Sequence, residues 1–446
     1  MWSIYVVGTR ISRFFSGILQ TGILPDVFDA FDDLEWLILH SRTPTLSGDV
    51  PPSVFSANSV RVDLRNNQFD SLPESICDAS NLQRLRLGNN HFGVRKRPIP
   101  SCISTLTKLQ VLDLEHNQFT GSIPSFEKLT ELRALKLNSA FVPQSFLQPL
   151  PSWIYNLTNI EMLQMEENRL EGTLGTEFGT LSDLTILSLR NNYISGTVPS
   201  EMAHMHEIQQ LDLGFNKLNG TVPTFAPAII LSKLDLSFNG LTGSLPPLPA
   251  DLVKGYFAEN RFSGSLPKSF PYGLKELDLS HNEFSGSVPP SVCLNSLEQL
   301  RLYQTSLSDE LPSCLSRLSK ITLADFSFSH ISGNLPDLTN WTSLQLLGAA
   351  ATKIGGPLPQ LPETTTEFLA GDALFTGQIP DSYGLQNLQK LNLNRNLLTG
   401  TVPDSLCNIP YFSVVENPLS CPFPICCQSS DSDCHQCCDP CTSFSS

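Results

Sequence analysis

A single frame recurs along this chain and leaves few ways to fold it. It reads Leu184-x-x-Leu187-x-Leu189-x-x-Asn192-x-Ile194-x-Gly196-x-Val198-Pro199, then Ile208-x-x-Leu211-x-Leu213-x-x-Asn216-x-Leu218-x-Gly220-x-Val222-Pro223. Leu231, Leu234, Leu236, Asn239, Leu241, Gly243, Leu245 and Pro246 continue it. The same frame fits around Asn67, Asn90, Asn117, Asn168, Asn260, Asn282 and Asn396. It fits more loosely at Arg42, Ala140, Thr305, Ser329, Thr352 and Ala373, and Asn417 closes the series. Roughly 17 units follow one another at a spacing of about 21–28 residues. A chain of 446 residues would otherwise suggest two or three globular domains. A repeat lets one stack grow instead, because each unit buries its core only against its neighbours.

Each slot has a physical reason. The segment x-Leu-x-Leu-x alternates, so it predicts a short strand with one buried face. Strands of successive units then stack in parallel. The Asn that follows turns the chain inward, and its amide can satisfy backbone groups of its own and the adjacent turn. Left unpaired, such groups cost about 1–3 kcal/mol each. A ladder of stacked Asn side chains is therefore expected along the stack. Gly gives a tight path, and the following Val/Ile/Leu-Pro ends a second short extended segment, since Pro has no N–H to donate. What remains of each unit, such as Ser-Glu-Met-Ala at 200–203, is a short helical or irregular segment. Ala140 and Ala373 cannot join the ladder, and Thr305, Ser329 and Thr352 can do so only partly. A weaker zone is expected across about 300–375.

Composition narrows the function. Pro is abundant, with 33 residues, but it falls at one repeat position and does not signal disorder. The net charge of −15 argues against nucleic-acid binding, which runs on Lys and Arg neutralising phosphates. No run of about 18 apolar residues predicts a membrane-spanning helix. The start, Met1 to Gly8, has too short an apolar stretch for a signal peptide and no basic residues ahead of it.

The frame L-x-x-L-x-L-x-x-N-x-L-x-G-x-I/V/L-P, as it stands from Leu184 to Pro246, resembles the plant-type subclass of leucine-rich repeats. The likeness runs from about residue 20 to 420. It implies an α/β repeat fold, a right-handed solenoid with one parallel sheet on the concave face and short irregular or helical convex segments. Similar proteins include ectodomains of receptor-like kinases and receptor-like proteins, inhibitors of polygalacturonase, and protist surface antigens. The resemblance implies extracellular or cell-surface recognition of a protein, peptide or glycan through the concave face, in a receptor-like, defence or adhesion role. A membrane-bound co-receptor is an implied partner. A structural surface coat without a specific ligand is the alternative. One departure stands out: plant members carry an N-terminal cap with paired Cys, whereas Gly22-x-Leu24-Pro25 already occupies a repeat slot here. Residues 1–25 therefore read as a partial repeat, 26–406 as the array, and 407–446 as a capping unit with a Cys-rich tail. An uncapped stack exposes an apolar end, so a longer natural chain is expected.

The 12 cysteines suggest disulfides and an oxidising compartment. Cys77 follows Pro73 and Cys102 follows Pro100 in the next unit; Cys293 and Cys314 repeat the relation. Both pairs are expected as bridges between adjacent turns. Cys407 is expected to pair with Cys421. Cys426, Cys427, Cys434, Cys437, Cys438 and Cys441 allow 15 pairings. The Cys434-x-x-Cys437 and Cys438-x-x-Cys441 spacing also fits zinc, with His435 nearby, but disulfides are the preferred reading and no metal or other cofactor is expected. Asn156, Asn219 and Asn340 stand in Asn-x-Thr triplets and are candidate glycosylation sites.

No known catalytic or nucleotide-binding motif is present, and an enzyme is not expected. His40, His116 and His281 fall at different strand ends and read as solvent-facing. Asp63, Asp113, Asp212, Asp235, Asp278 and Asp325 share the outward slot between strand leucines. Asp212 and Asp235 would lie within about 5 Å if adjacent, near the separation of a glycosidase pair. The simpler reading is Asp solvating the strand face. The candidate ligand face includes Arg61, Arg65, Arg84 and Arg86, to which the loop Arg95-Lys96-Arg97 adds positive charge. It continues through Asp212, Asp235, Tyr256, Asp278 and Tyr303. Phe215 and Phe238 belong either to this face or to the turn. Leu346, Gly348, Ala349, Ala350 and Ala351 make a bland strip further on.

Overall fold

The x-Leu-x-Leu-x segments form three-residue strands, and in the computed structural model these pair in parallel with their buried residues aligned. The structure describes residues 3–6, 22–30, 34–40, 45–142, 147–225, 230–385 and 387–428. They fall in two compact units. The first spans residues 1–219 with 228–231; the second spans 220–227 and 232–446.

In unit 1 the main sheet runs from Trp36–His40 through Arg61–Asp63, Arg84–Arg86, Val111–Asp113, Ala134–Lys136 and Met162–Gln164 to Ile186–Ser188 and Gln210–Asp212. Leu37, Val62, Leu85, Leu112, Leu135, Leu163, Leu187 and Leu211 are register partners in turn. All are at most 1% exposed. A slip of one residue would turn this whole column to solvent, which fixes the register. Ser3–Val6 pairs antiparallel with Trp36–His40, unlike any repeat strand. In unit 2 the main sheet begins at Lys233–Asp235 and ends at Tyr411–Ser413, again parallel and in chain order.

The segments after each ladder residue pair as well. Leu170–Thr173 pairs with Tyr193–Gly196 in unit 1, where Ser195 and Gly196 in turn have Lys217 and Leu218 as register partners. In unit 2, Gly240–Gly243 to Ser306–Ser308 form one such run, and Ser332–Asn334 to Leu397–Leu398 form another. Pro then opens a 3-10 turn. Pro199, at φ −63°, starts Ser200–His204, its carbonyl accepts the Met202 amide at 3.2 Å, and Met202 is buried. Phe two residues past the ladder position stacks between coils: Phe69 on Phe92 at 6.3 Å and Phe92 on Phe119 at 6.2 Å.

The ladder is built as the sequence predicts, and it ties each coil to the one before. Asn90 Nδ2 donates to Leu87 O in its own coil and to Leu64 O in the preceding one, while its Oδ1 accepts the Phe69 amide. Asn282 repeats this with Leu279 O, Phe257 O and the Phe262 amide. The backbone immediately before each ladder position is left-handed whatever residue stands there: Asn89 at φ 57°, Phe215 at 56°, Glu259 at 56°, Ala351 at 51°. Thr305, Ser329 and Thr352 have one hydroxyl each, which donates to Leu302 O, Phe326 O and Ala349 O of the same coil. Ser329 and Thr352 also accept the amides of Ile331 and Ile354, again in their own coils. These side chains close their own turn and are too short to grip the neighbour.

Disulfides join adjacent turns at Cys77–Cys102 and Cys293–Cys314, with Cα separations of 5.4 and 5.8 Å. The third differs from expectation: Cys407 pairs with Cys426, not Cys421. The helix Ile425–Gln428 carries Cys426 back against the 3-10 turn Asp404–Asn408 that holds Cys407. Cys421 and Cys427 are also disulfide-bonded. Arg42, Cys434, His435, Cys437, Cys438 and Cys441 lie outside the described residues.

Candidate binding face

Alternation puts every second strand residue on the outward face of the main sheet. The Asp of Leu-Asp-Leu is not a solvated face residue, however. Asp63, Asp113, Asp212 and Asp235 are 1–7% exposed. Each accepts the amide two residues on: Arg65 at 3.4 Å, Glu115 at 3.3 Å, Gly214 at 3.2 Å and Ser237 at 3.0 Å. Asp278 and Asp325 do the same with Ser280 and Ser327. The carboxylate thus caps the strand end as the chain enters its left-handed turn. Asp212 belongs to unit 1 and stands 3.7 Å from Arg190 Nη1; Asp235 belongs to unit 2 and accepts the Ser237 hydroxyl at 2.6 Å.

The basic residues of unit 1 divide into two groups. Arg61, Arg65, Arg84 and Arg86 share the main sheet face. Arg95 instead reaches Asp49 at 3.4 Å and Asp70 at 3.7 Å, both on the second strand set, so Arg95 does not add to the patch. Arg65 holds Asp63 through two bonds of 2.9 and 2.8 Å. Burial pushes the Asp113 carboxyl up to about 6, the charge of Glu115 adds to this, and the Glu115 amide, Lys136 and Arg65 pull against it.

Unit 2 carries a band of mixed chemistry. Lys254 Nζ lies 2.8 Å from Glu276 Oε1, and the Tyr256 hydroxyl donates to the other carboxylate oxygen. Burial and then Glu276 push the Tyr256 hydroxyl up. Burial would raise Glu276 too, but its bonds to Lys254 and Tyr256 win and hold it below the usual carboxylate range. The Asp278 carboxylate accepts the Ser280 hydroxyl at 2.5 Å, and Arg301 donates to Gln299 at 2.7 Å. His281 is half-buried rather than simply solvent-facing: it packs edge-on to Tyr303 at 4.7 Å and sits 3.4 Å from Glu259. Phe238 stands in the left-handed turn before Asn239, at φ 54°, and is 42% exposed. Phe215 is half-buried, with the Arg190 guanidinium 4.4 Å from its ring.

Further along unit 2 the strip is less bare than its composition implies. Ala349 is fully buried and points into the core. A Cβ at Gly348 would come 2.1 Å from Asp325 Oδ1, so this glycine is what admits the neighbouring carboxylate. Phe328, which sequence reasoning passed over, is 61% exposed, and its amide donates to Ala350 O of the next coil at 2.7 Å. The candidate glycosylation sites lie elsewhere. Asn156 ends the 3-10 turn Ser152–Asn156, and Asn219 lies in Lys217–Gly220 of the second strand set. Asn340 sits in a turn and donates to Ser316 O at 2.9 Å. All three are exposed, and none is on a main-sheet strand. Among the described residues no group of three or more His, Cys, Asp or Glu could hold a metal ion.

This face offers positioned donors, acceptors and aromatic edges, the elements of recognition. A leucine-rich repeat region model matches residues 60–221, and the leucine-rich repeat model matches 231–252, 273–294 and 387–409. The chain belongs to the leucine-rich-repeat family. Its repeats are of the plant type. Receptor-like protein 35 of Arabidopsis thaliana is 34% identical over 134 residues, covering 29% of this leucine-rich-repeat chain and 13% of that protein. Receptor-like protein kinase HAIKU2, also of Arabidopsis thaliana, is 29% identical over 132 residues, covering 24% of this chain and 13% of that one. Two solved plant structures are similar over most of the chain. The peptide hormone receptor RGFR1, in complex with RGF2, superposes with a TM-score of 0.73 at 25% identity, covering 87% of this chain and 66% of that one. PEPR1 with AtPEP1 gives 0.76 at 25%, covering 90% and 61%. The matches to curated relatives thus span a small part of those proteins. No helix among the described residues is long and apolar enough to cross a membrane.

Proposed function

We propose that this leucine-rich-repeat protein recognises a peptide or protein outside the cell through the outward face of its main sheet, as a receptor-like ectodomain. The observation that carries the reading is where the acceptors for glycans lie. Asn156, Asn219 and Asn340 are all off the main sheet, so the sheet face with Tyr256, Asp278 and Tyr303 would stay bare in a secreted chain. The likeness to two receptor ectodomains solved with peptide ligands supports the choice of a peptide over a glycan. A coat protein has no reason to keep one face clear.

The test is capture. The chain is immobilised, the peptide fraction of extracellular fluid is passed over it, and retained peptides are sequenced and rebound singly. Tyr256→Ala and Tyr303→Ala are each expected to weaken binding by ~10-fold or more, as central aromatic contacts do. Tyr272→Ala, at a residue 92% exposed in a turn away from the sheet, should leave it unchanged. Equal loss in all three variants, or no loss in any, would contradict the assignment.

A further inference from the structure

The insertion that carries Arg95-Lys96-Arg97 opens a cavity in unit 1, away from the main sheet. Pro100 stands ten residues after Asn90, whereas Pro199 stands seven after Asn192. The coil keeps its bonds to the preceding one as far as Gly93, whose amide donates to Asp70 O at 3.2 Å. There the loop departs. Gly93 has a φ of 94°, and a Cβ on it would come 2.4 Å from Gln118 O. Only glycine lets the backbone pass the next coil that closely. The extra residues turn back at once: the Val94 amide donates to His91 O at 3.1 Å and the Lys96 amide to Gly93 O at 2.8 Å. The chain rejoins the stack at Pro98, which bridges Thr120. Gln68–Ser71 therefore pairs with Ser47–Asp49 on one side, but among the described residues no second-set strand follows Asn90 to pair with it on the other.

The gap left behind is a cavity of about 400 Å³, within the range of small-ligand sites, roughly 300–1,000 Å³. Its lining is mostly apolar: Leu72, Pro73, Pro98 and Pro100, with the stacked rings of Phe92 and Phe119. The walls are fixed before any ligand arrives. The Cys77–Cys102 bridge ties the turn Glu74–Asp78 to the turn Ser101–Thr105, and each proline holds its own φ. Two charged residues, Glu74 and Arg97, complete the lining, and both are exposed. Arg95 of the same loop is taken by Asp49 and Asp70, but among the described residues Glu74 and Arg97 form no ion pair, with each other or with any other group.

We propose that this cavity binds a free apolar amino acid, its side chain against Leu72 and the prolines, its carboxylate on Arg97 and its ammonium on Glu74. An uncharged apolar ligand leaves both charges unused. A ligand with one charge meets its own sign on the opposite residue. A zwitterion with an apolar side chain matches both charges and the apolar lining together. An extended peptide holds its terminal charges too far apart for one cavity. The site lies off the main sheet, so it stands or falls separately from peptide recognition there.

The test titrates L-phenylalanine into the full chain and follows the ligand by NMR. Saturable binding is expected with a Kd on the order of 1 mM, the scale of a ligand of about 12 heavy atoms in a shallow site. Glycine, which lacks the apolar side chain, should bind at least ~10-fold more weakly. Phenylpropanoate lacks the ammonium and phenethylamine lacks the carboxylate; each should bind ~3–5-fold more weakly than L-phenylalanine, the scale of one exposed ion pair. Arg97→Gln and Glu74→Gln change exposed side chains and do not threaten folding. Arg97→Gln should weaken L-phenylalanine and phenylpropanoate by ~3–5-fold and leave phenethylamine unchanged. Glu74→Gln should weaken L-phenylalanine and phenethylamine and leave phenylpropanoate unchanged. A merely structural role would not sort the ligands by charge. No binding of L-phenylalanine below about 10 mM, or binding that neither variant alters, overturns the site. Phenylpropanoate binding more tightly than L-phenylalanine overturns the zwitterion assignment.

Discussion

Asn192→Ala is the substitution that most directly measures what the ladder contributes. Asn192 Oδ1 accepts two amides of the preceding coil, Leu170 at 2.9 Å and Asn168 at 3.1 Å. Its Nδ2 donates to Met165 O, Leu189 O and Arg190 O at 2.9, 2.9 and 3.2 Å. Leu189 O keeps a second donor, Asn216 Nδ2 at 2.9 Å, so it is not orphaned. The amides of Asn168 and Leu170 and the carbonyl of Met165 are left buried and unmatched. At about 1–2 kcal/mol for each of these three groups, the loss should be about 3–6 kcal/mol. Thr305→Ala removes one hydroxyl bond, to Leu302 O, and should cost only about 1 kcal/mol. Urea unfolding followed by circular dichroism compares the two variants, and hydrogen exchange of the Asn168 and Leu170 amides localises the effect. If Asn192→Ala costs no more than Thr305→Ala, or those amides stay protected, the ladder is not what joins the coils.

Three further outcomes follow from the same geometry. Amides across about 300–375 should exchange faster than those across 180–285, because Thr305, Ser329 and Thr352 bond within their own coils; equal protection would show that the strands alone carry the coupling. Asp113, 2% exposed, holds its proton in the folded state between pH 3.8 and about 6, where the unfolded chain has given it up. Stability from this group is therefore full below pH 3.8 and lost as pH rises through about 6, by roughly 3 kcal/mol. Asp113→Asn should raise the neutral-pH melting temperature and flatten that stretch of the profile; an unchanged profile would refute it. Cys314→Ser opens the bridge to Cys293 across a separation of 21 residues, and should cost about 3 kcal/mol by denaturation in the absence of reductant. A loss below about 1 kcal/mol would show that stacking alone holds those turns.

How much of this was legible depends on where each property resides. The strand register and the ladder could be read because they need particular side chains: a Leu that fits the core, an amide that can both donate and accept. The gaps at Thr305, Ser329 and Thr352 were legible for the same reason, although not that their hydroxyls would close their own turns. The left-handed residue before each ladder position was invisible, because the turn imposes that backbone on Asn89, Phe215 and Ala351 alike. The buried Asp caps were misread as solvated residues, since alternation marks a side and not a depth. Arg95 was grouped with Arg84 by nearness in sequence, but the inserted loop sends it to Asp49 and Asp70. Cys407 found Cys426 because a helical turn after the last strand repositions the chain, which spacing could not show.

The most direct test of the central claim is a hydrogen-exchange footprint of the bound ligand on the natively produced chain. The account predicts protection along main-sheet strands such as Lys254–Tyr256, Glu276–Asp278 and Gln299–Arg301, with the 3-10 turns and the segments carrying Asn156, Asn219 and Asn340 unchanged. Protection confined to those turns, with the main-sheet strands exchanging as in the free protein, would contradict it.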